Sequence, residues 1–336
     1  MVKMMSHKYL VIVIFYLWVD STICVEVACE LSNDTSLKAV CECTARTVNC
    51  RNRGLREWPV GIPVNTRYLY MNDNNLRTID DDTLLELRNL LIIEINNNSL
   101  TRLPTFPKSI GSVYAKHNLL TDISTAFNNL PRLHTIDIQN NNIIELSNTT
   151  FNGSPFITTF DISYNHLHSI EAFTFASLQN TSLILSINFN PQLKELCENS
   201  FALTTMFSVT IVIAYNHNLV NLSSGTFKNL STGSFIHLHR NGLRSIPSKA
   251  FQGGNISYIK LEDNQIRFIH KDAFIALDNI EELRLAYNNL TEIPILPANS
   301  KFRLLDLSWN YITSLEGCQL PSVGNMLMNK NNIQRV

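Results

Sequence analysis

Three groups of residues have the types and spacing for chemistry. His237-x-His239 places two imidazoles two residues apart, and Glu262 follows 23 residues after His239. In an extended segment alternate residues share a face, so the pair with Glu262 is a candidate three-ligand metal set. Asp137 and Asp161, 24 residues apart, are candidates for paired acid–base carboxylates. Seven cysteines, Cys24, Cys29, Cys41, Cys43, Cys50, Cys197 and Cys318, could form disulfides or hold metal. Each group works only if the fold converges it. Zinc needs its ligands gathered, and a carboxylate pair needs a water-poor site that separates the two pKa values. The chain has no nucleophile motif and no phosphate-cradling glycine loop.

The positioning elements are repeats. The pattern apolar-x-apolar-x-x-Asn occurs in twelve in-phase copies. Its asparagines are Asn74, Asn98, Asn118, Asn141, Asn165, Asn190, Asn216, Asn241, Asn264, Asn288, Asn310 and Asn331, at intervals of 20 to 26 residues. Two apolar residues two apart point into a core from one face of a short strand. The turn after each strand buries backbone groups that leave the sheet and need partners. An Asn amide supplies two donors and an acceptor, so stacked coils predict an Asn ladder. A second series, Phe127, Phe151, Phe175, Phe201, Phe227, Phe251 and Phe274, follows nine to eleven residues after the Asn, with Leu84 in its place in the first repeat. These predict an aromatic spine through the far half of the coils. Three coils lack this Phe and carry proline: Trp58 to Pro63, Leu103 to Pro107 and Ile293 to Pro297.

The repeat over about residues 55 to 336 resembles the leucine-rich-repeat family. The mixture of short proline-bearing and long repeats is similar to small extracellular matrix leucine-rich proteins and to Slit-like and Toll-like ectodomains. The resemblance implies an α/β solenoid, a right-handed horseshoe with a parallel sheet on its concave face and an irregular or short-helical convex side. Twelve repeats then fill residues 56–336.

Cys41-x-Cys43-x6-Cys50 resembles the N-terminal cysteine cap of secreted members, here spanning residues 25–55. An end coil needs such a cover because it would otherwise expose its core. The resemblance implies the pairs Cys29–Cys43 and Cys41–Cys50. One departure is the eleven residues between Cys29 and Cys41, where the family has two or three. Cys197 and Cys318 follow strands five coils apart, roughly 24 Å at the spacing of paired strands, too far to bond within one chain. They are expected to be either buried free thiols or, through Cys197 or Cys318, a disulfide to a second chain. No C-terminal cysteine cap is present, so the expectation is that the last coil is covered by its own irregular fold or by a partner, or that the sequence is a truncated one.

Residues 1–24 read as a signal peptide. Tyr9 to Val19 is an uninterrupted apolar run of 11, too short to span a membrane, and a polar exit follows. No later stretch is long enough to span one. Glycosylation sequons begin at Asn33, Asn97, Asn148, Asn180, Asn221, Asn229, Asn255 and Asn289, and Asn152, followed by Gly-Ser-Pro, is a poor ninth. A net charge of −1 with no basic stripe argues against nucleic acid.

Function is expected on the concave face. The central exposed residue runs, in strand order, Tyr70, Glu94, Tyr114, Asp137, Asp161, Ser186, Val212, His237, Lys260, Arg284, Asp306 and Leu327, with His239 and Glu262 beside the later members. This is either a generic polar face or a bipolar groove, acidic early and basic late. The expectation is a secreted, non-enzymatic scaffold without cofactor or metal, binding a protein or matrix ligand. The alternative is a stabilising subunit of a secreted enzyme complex.

Overall fold

The computed structural model describes residues 28–29, 40–178, 182–202, 208–230, 233–252, 256–274, 277, 280–318 and 320–334. The expected signal peptide and the sequons at Asn33, Asn180 and Asn255 lie outside the described residues.

Strands β1 (Glu42–Thr44) and β2 (Thr47–Asn49) form an antiparallel hairpin. They are followed by β3 (Tyr68–Tyr70), β4 (Ile92–Glu94), β5 (Ser112–Tyr114) and β6 (Thr135–Asp137). From there long and two-residue strands alternate: β7 (Glu145–Leu146), β8 (Thr159–Asp161), β9 (Ser169–Ile170), β10 (Leu183–Ser186), β11 (Glu195–Leu196), β12 (Val209–Val212), β13 (Asn221–Leu222), β14 (Ser234–His237), β15 (Ser245–Ile246), β16 (Ile256–Lys260), β17 (Phe268–Ile269) and β18 (Glu282–Arg284). β19 (Lys301–Asp306) and β20 (Ser322–Leu327) complete the order. One 14-stranded sheet runs β1-β2-β3-β4-β5-β6-β8-β10-β12-β14-β16-β18-β19-β20, parallel from β2 onward. The two-residue strands pair across the other side of the coil as β7-β9, β11-β13 and β15-β17.

The ladder asparagines hold successive coils together. Asn165, 1% exposed, accepts from the Ile143 N–H of the preceding coil (3.0 Å) and donates to the carbonyls of Ile138 (3.1 Å) and Ile162 (3.0 Å). Asn98, Asn118, Asn141, Asn288 and Asn310 repeat this arrangement. Asn190 and Asn216 vary it, each also donating its own backbone N–H to the next ladder side chain. Behind the strands, Phe151, Phe175, Phe201, Phe227, Phe251 and Phe274 stack at 5.2 to 5.8 Å between ring centroids.

Two expectations are corrected. The convex side has no helix among the described residues. Its segments are too short to repay helix nucleation, and Asn129, Phe173, Asn199, Asn229 and Lys249 stand at φ of +57° to +63°, which ends any right-handed run. The proline coil at Leu103 to Pro107 also reaches the spine, because Phe106 is buried and stacks parallel on Phe127 at 6.2 Å.

The cap carries the disulfides Cys29–Cys43 and Cys41–Cys50. Cys29, Cys41 and Cys50 are buried with Val48 and Leu55 against the first coil, the position a solenoid end requires. Cys197 and Cys318 are free thiols, the first half-buried and the second exposed. No helix among the described residues is long and apolar enough to cross a membrane.

Candidate functional site

Register pairing aligns the central row as a continuous line. Tyr70 stands beside Glu94, then Tyr114, Asp137, Asp161, Ser186, Val212, His237, Lys260, Arg284, Asp306 and Leu327. The flanking core residues, such as Ile136, Ile211 and Leu283, are fully buried on the other face. The row is therefore the solvent-facing surface of the sheet, and its charges can be taken one by one.

Three of its six charged members are paired. Arg51 of the cap reaches over the first coil, donates to Glu94 at 2.5 Å and lies 4.1 Å above the Tyr70 ring. Asn72 donates to the same Glu94 carboxylate at 2.6 Å. Tyr70 and Glu94 thus dock the cap. Lys116 pairs with Asp137 at 2.8 Å. Arg284 pairs with Glu282 at 3.0 Å, and Arg303 joins the same carboxylate. Among the described residues, Asp161 and Lys260 form no ion pair. Asp161 accepts the Ser163 N–H at 2.9 Å, and burial, with Asp137 as a smaller contributor, raises its pKa. Asp306, near the far end of the row, also forms no ion pair among the described residues and accepts from the Ser308 N–H (3.0 Å) and hydroxyl (2.6 Å). The contrast of an acidic and a basic half is weaker in three dimensions than in the sequence, and Lys260 is the row's Lys or Arg without an ion pair among the described residues.

The metal and acid–base groupings look different in place. His237 and His239 share a face, with ring centroids 6.2 Å apart and planes tilted by 57°. No cluster of three His, Cys, Asp or Glu side chains among the described residues could hold a metal ion. Asp137 and Asp161 are neighbours, but the first is held by Lys116 and both lie on an open sheet. Near the histidines, His239 Nδ1 and Glu262 Oε2 are buried atoms with no hydrogen-bond partner.

His237 has a pKa lowered to about 4, first by burial and then by Lys260, His239 and Arg284. His239 is lowered by burial and by Lys260, and Glu262 is raised by burial. An unfolded His237 takes up its proton near 6.5, so between pH 6.5 and about 4 the unfolded chain binds the extra proton. This group's contribution to stability is present above that window and is lost as pH falls through it. Asp161 and Glu262 act in the opposite sense, because the folded chain protonates them first. A His237→Gln variant isolates the histidine. Thermal unfolding should show wild type losing stability relative to the variant as pH falls from 6.5 to 4, and parallel curves would contradict this.

A feature not singled out from the sequence adjoins this row. The residue just before each ladder Asn adopts left-handed backbone, a conformation that Asn and Asp tolerate best. Asp73, Asn97 and Asn140 occupy it in early repeats, but Tyr164 (φ 58°), Phe189 (φ 54°) and Tyr215 (φ 60°) occupy it in the middle ones. These three rings stack at 4.4 and 4.6 Å with planes within 10° of parallel. Tyr164 is 46% exposed. Arg240 closes the stack, its guanidinium 5.1 Å from the Tyr215 ring and donating to the Tyr215 hydroxyl at 2.6 Å. A second pair, Tyr287 and Trp309, stacks at 4.9 Å. Each stacked pair returns about 0.5–1.5 kcal/mol, comparable with the roughly 1–2 kcal/mol that left-handed backbone costs a residue with a Cβ. The repeat strings already carried the signal, since an aromatic precedes the ladder Asn at 164, 189, 215, 287 and 309.

The sequons that can be placed lie off the sheet row. Asn97, Asn148, Asn152, Asn221 and Asn229 are exposed, and Asn289 is half-buried. The concave asparagines Asn72, Asn96 and Asn188 instead accept backbone N–H groups of the next strand's coil, from Asn96, Lys116 and Ala214.

A disulfide cap on a stack of coils with an Asn ladder defines the leucine-rich-repeat class of solenoid. Comparison with known proteins agrees. Residues 131–190 and 234–290 match the leucine rich repeat family, and residues 38–63 match the leucine rich repeat N-terminal domain. Over those residues the chain matches these models, and it is similar to leucine-rich-repeat proteins. It is 26% identical to podocan of Mus musculus over 306 residues, 88% of this chain and 45% of podocan. It is 25% identical to lumican of Gallus gallus over 285 residues, 83% of this chain and 66% of lumican. It matches the human leucine-rich repeats and immunoglobulin-like domains protein 1 at 27% over 58% of this chain, spanning only 18% of that protein. A chain from the octameric complex of latrophilin 3, Unc5D and FLRT2 shares the fold, with TM-score 0.61 and 20% identity over 82% of this chain and 85% of that one.

Proposed function

We propose that the chain is a secreted scaffold that binds a protein ligand, free or in the extracellular matrix, through its concave face. The observation that carries this reading is the central row. It is an unbroken solvent-facing line across twelve strands, with half-buried aromatic and charged side chains and no catalytic grouping along it. Such a surface offers many contacts to an extended partner and no enclosed pocket for a small substrate. The likeness to podocan and lumican supports an extracellular setting, as do the disulfide-bonded cap and the exposed sequons. The compensated charges favour a recognition centre in the coils from Asp161 to Lys260 over one at the cap, where Arg51 already engages Tyr70 and Glu94.

The test is affinity capture from matrix extract with the full chain and with Asp161→Lys and Lys260→Glu variants. Lys260 is half-buried, and reversing its charge should weaken capture at least tenfold while thermal unfolding stays near the wild-type temperature. Equal capture by wild type and both variants, with all three folded, would retire the concave face as the binding surface.

A further inference from the structure

We propose that the coils from Tyr164 to Lys260 form one track for an extended peptide segment of a partner protein. Lys260 anchors a single carboxylate of that segment, and its apolar side chains lie along the Tyr164–Phe189–Tyr215 ridge. This rests on the concave-face reading and adds the partner's chemistry.

Three observations converge on it. The ridge is not core packing, because Tyr164 is exposed and the rings stand where early coils carry Asp73, Asn97 and Asn140. Ridge and row are continuous, since the Tyr215 ring meets the His239 ring edge-on at 5.8 Å, and His239 lies on the same face as His237, next to Lys260. Glu94, Asp137 and Glu282 all have cationic partners, whereas Lys260 forms no ion pair among the described residues.

The chemistry selects the occupant. The rings are stacked nearly parallel, so the faces between them are covered, and apart from the outer face of Tyr164 the ridge offers ring edges. A sugar ring, which binds by lying on an aromatic face, gains little there, while aliphatic and aromatic side chains pack well against ring edges. A polyanionic glycan is disfavoured because the row offers it little open positive charge: Arg284 is paired with Glu282, and Glu262 follows Lys260 two residues on. A lone carboxylate meets neither objection. Lys260 lies two strands from Tyr215 and four from Tyr164, roughly 10 to 20 Å at the spacing of paired strands. An extended chain covers that in about three to six residues.

The probe is an array of twelve-residue synthetic peptides, each with one Glu and a Leu-Phe pair placed one to eight residues away. Each has a Glu→Gln counterpart, and a heparin fragment serves as the polyanion control. The purified full chain should bind Glu peptides at least fivefold better than Gln peptides, with an optimum at three to six residues. Lys260→Glu should erase the Glu preference. Phe189→Asn substitutes a type already found at this position in other coils, so it should keep the fold while lowering peptide binding at least fivefold. Equal Glu and Gln signals, full binding by Phe189→Asn, or binding of heparin instead of the peptides would overturn the proposal. Matrix ligands lost with Lys260→Glu but kept with Phe189→Asn would sink the track and leave the concave-face reading standing. Ligands kept by both variants would sink both.

Discussion

An Asn165→Ala chain should unfold with about 3–5 kcal/mol less stability than wild type, because several buried backbone groups lose their partner at once. The amide satisfies the Ile143 N–H and the carbonyls of Ile138 and Ile162, which belong to two different coils. At 1% exposure little water can replace it. The loss therefore falls on the interface between coils, which is where a solenoid's cooperativity resides. Asn331→Ala is the internal comparison. Asn331 makes similar bonds to Ile312, Leu307 and Met328 but is only half-buried, so its loss should cost less than half as much. Urea unfolding followed by circular dichroism reads both. Equal costs, or a cost below about 1 kcal/mol for Asn165→Ala, would mean that the ladder is not what joins the coils.

Phe201→Ala should cost a similar amount, about 3–5 kcal/mol, for a different reason. Phe201 is fully buried, with Phe175 at 5.6 Å on one side and Phe227 at 5.2 Å on the other. Truncation opens a cavity between two stacked rings, and the backbone on both sides is held by other coils, so collapse is limited. Phe201→Leu fills most of that volume and should recover over half of the loss. Thermal unfolding of the pair separates a packing role from a merely hydrophobic one. Equal effects of the two substitutions would contradict the stacked spine.

The parts of the fold legible in the sequence were those that repeat in type as well as in place. Asn at the ladder and Phe on the spine serve the same neighbours in every coil, so their identity is constrained and their period visible. The convex side was less legible. The resemblance left the convex side open between irregular and short-helical, and left-handed backbone at Phe173 and Lys249, which favours the irregular form, follows from how adjacent coils meet; neither residue type announces it. Phe106 escaped the spine series because its coil is shorter, which moves the ring out of the nine-to-eleven-residue interval.

The candidate site was legible as a row but not as a balance of charges. Alternation along each strand placed Tyr70 to Leu327 on one face, and register did the rest. That Arg51 neutralises Glu94 depends on how the cap folds over the first coil, a contact 43 residues apart in the chain. The pairing of Arg284 with Glu282 was local but hidden, since residues two apart on one strand reach each other only when the long guanidinium bends back. The aromatic ridge occupies a position that varies among Asp, Asn, His, Tyr, Phe, Arg, Trp and Lys from coil to coil, so no constant residue type marks it. Only the stacking of coils brings Tyr164, Phe189 and Tyr215 into contact.

Hydrogen–deuterium exchange on the chain with and without a captured protein ligand is the most direct reading of where recognition occurs. Protection should concentrate in segments that carry β8, β10, β12, β14 and β16 together with the turns after them, and should leave β7, β9, β11 and β13 unchanged. Protection confined to those two-residue convex strands, or to the cap hairpin of β1 and β2, would contradict a concave-face binding protein.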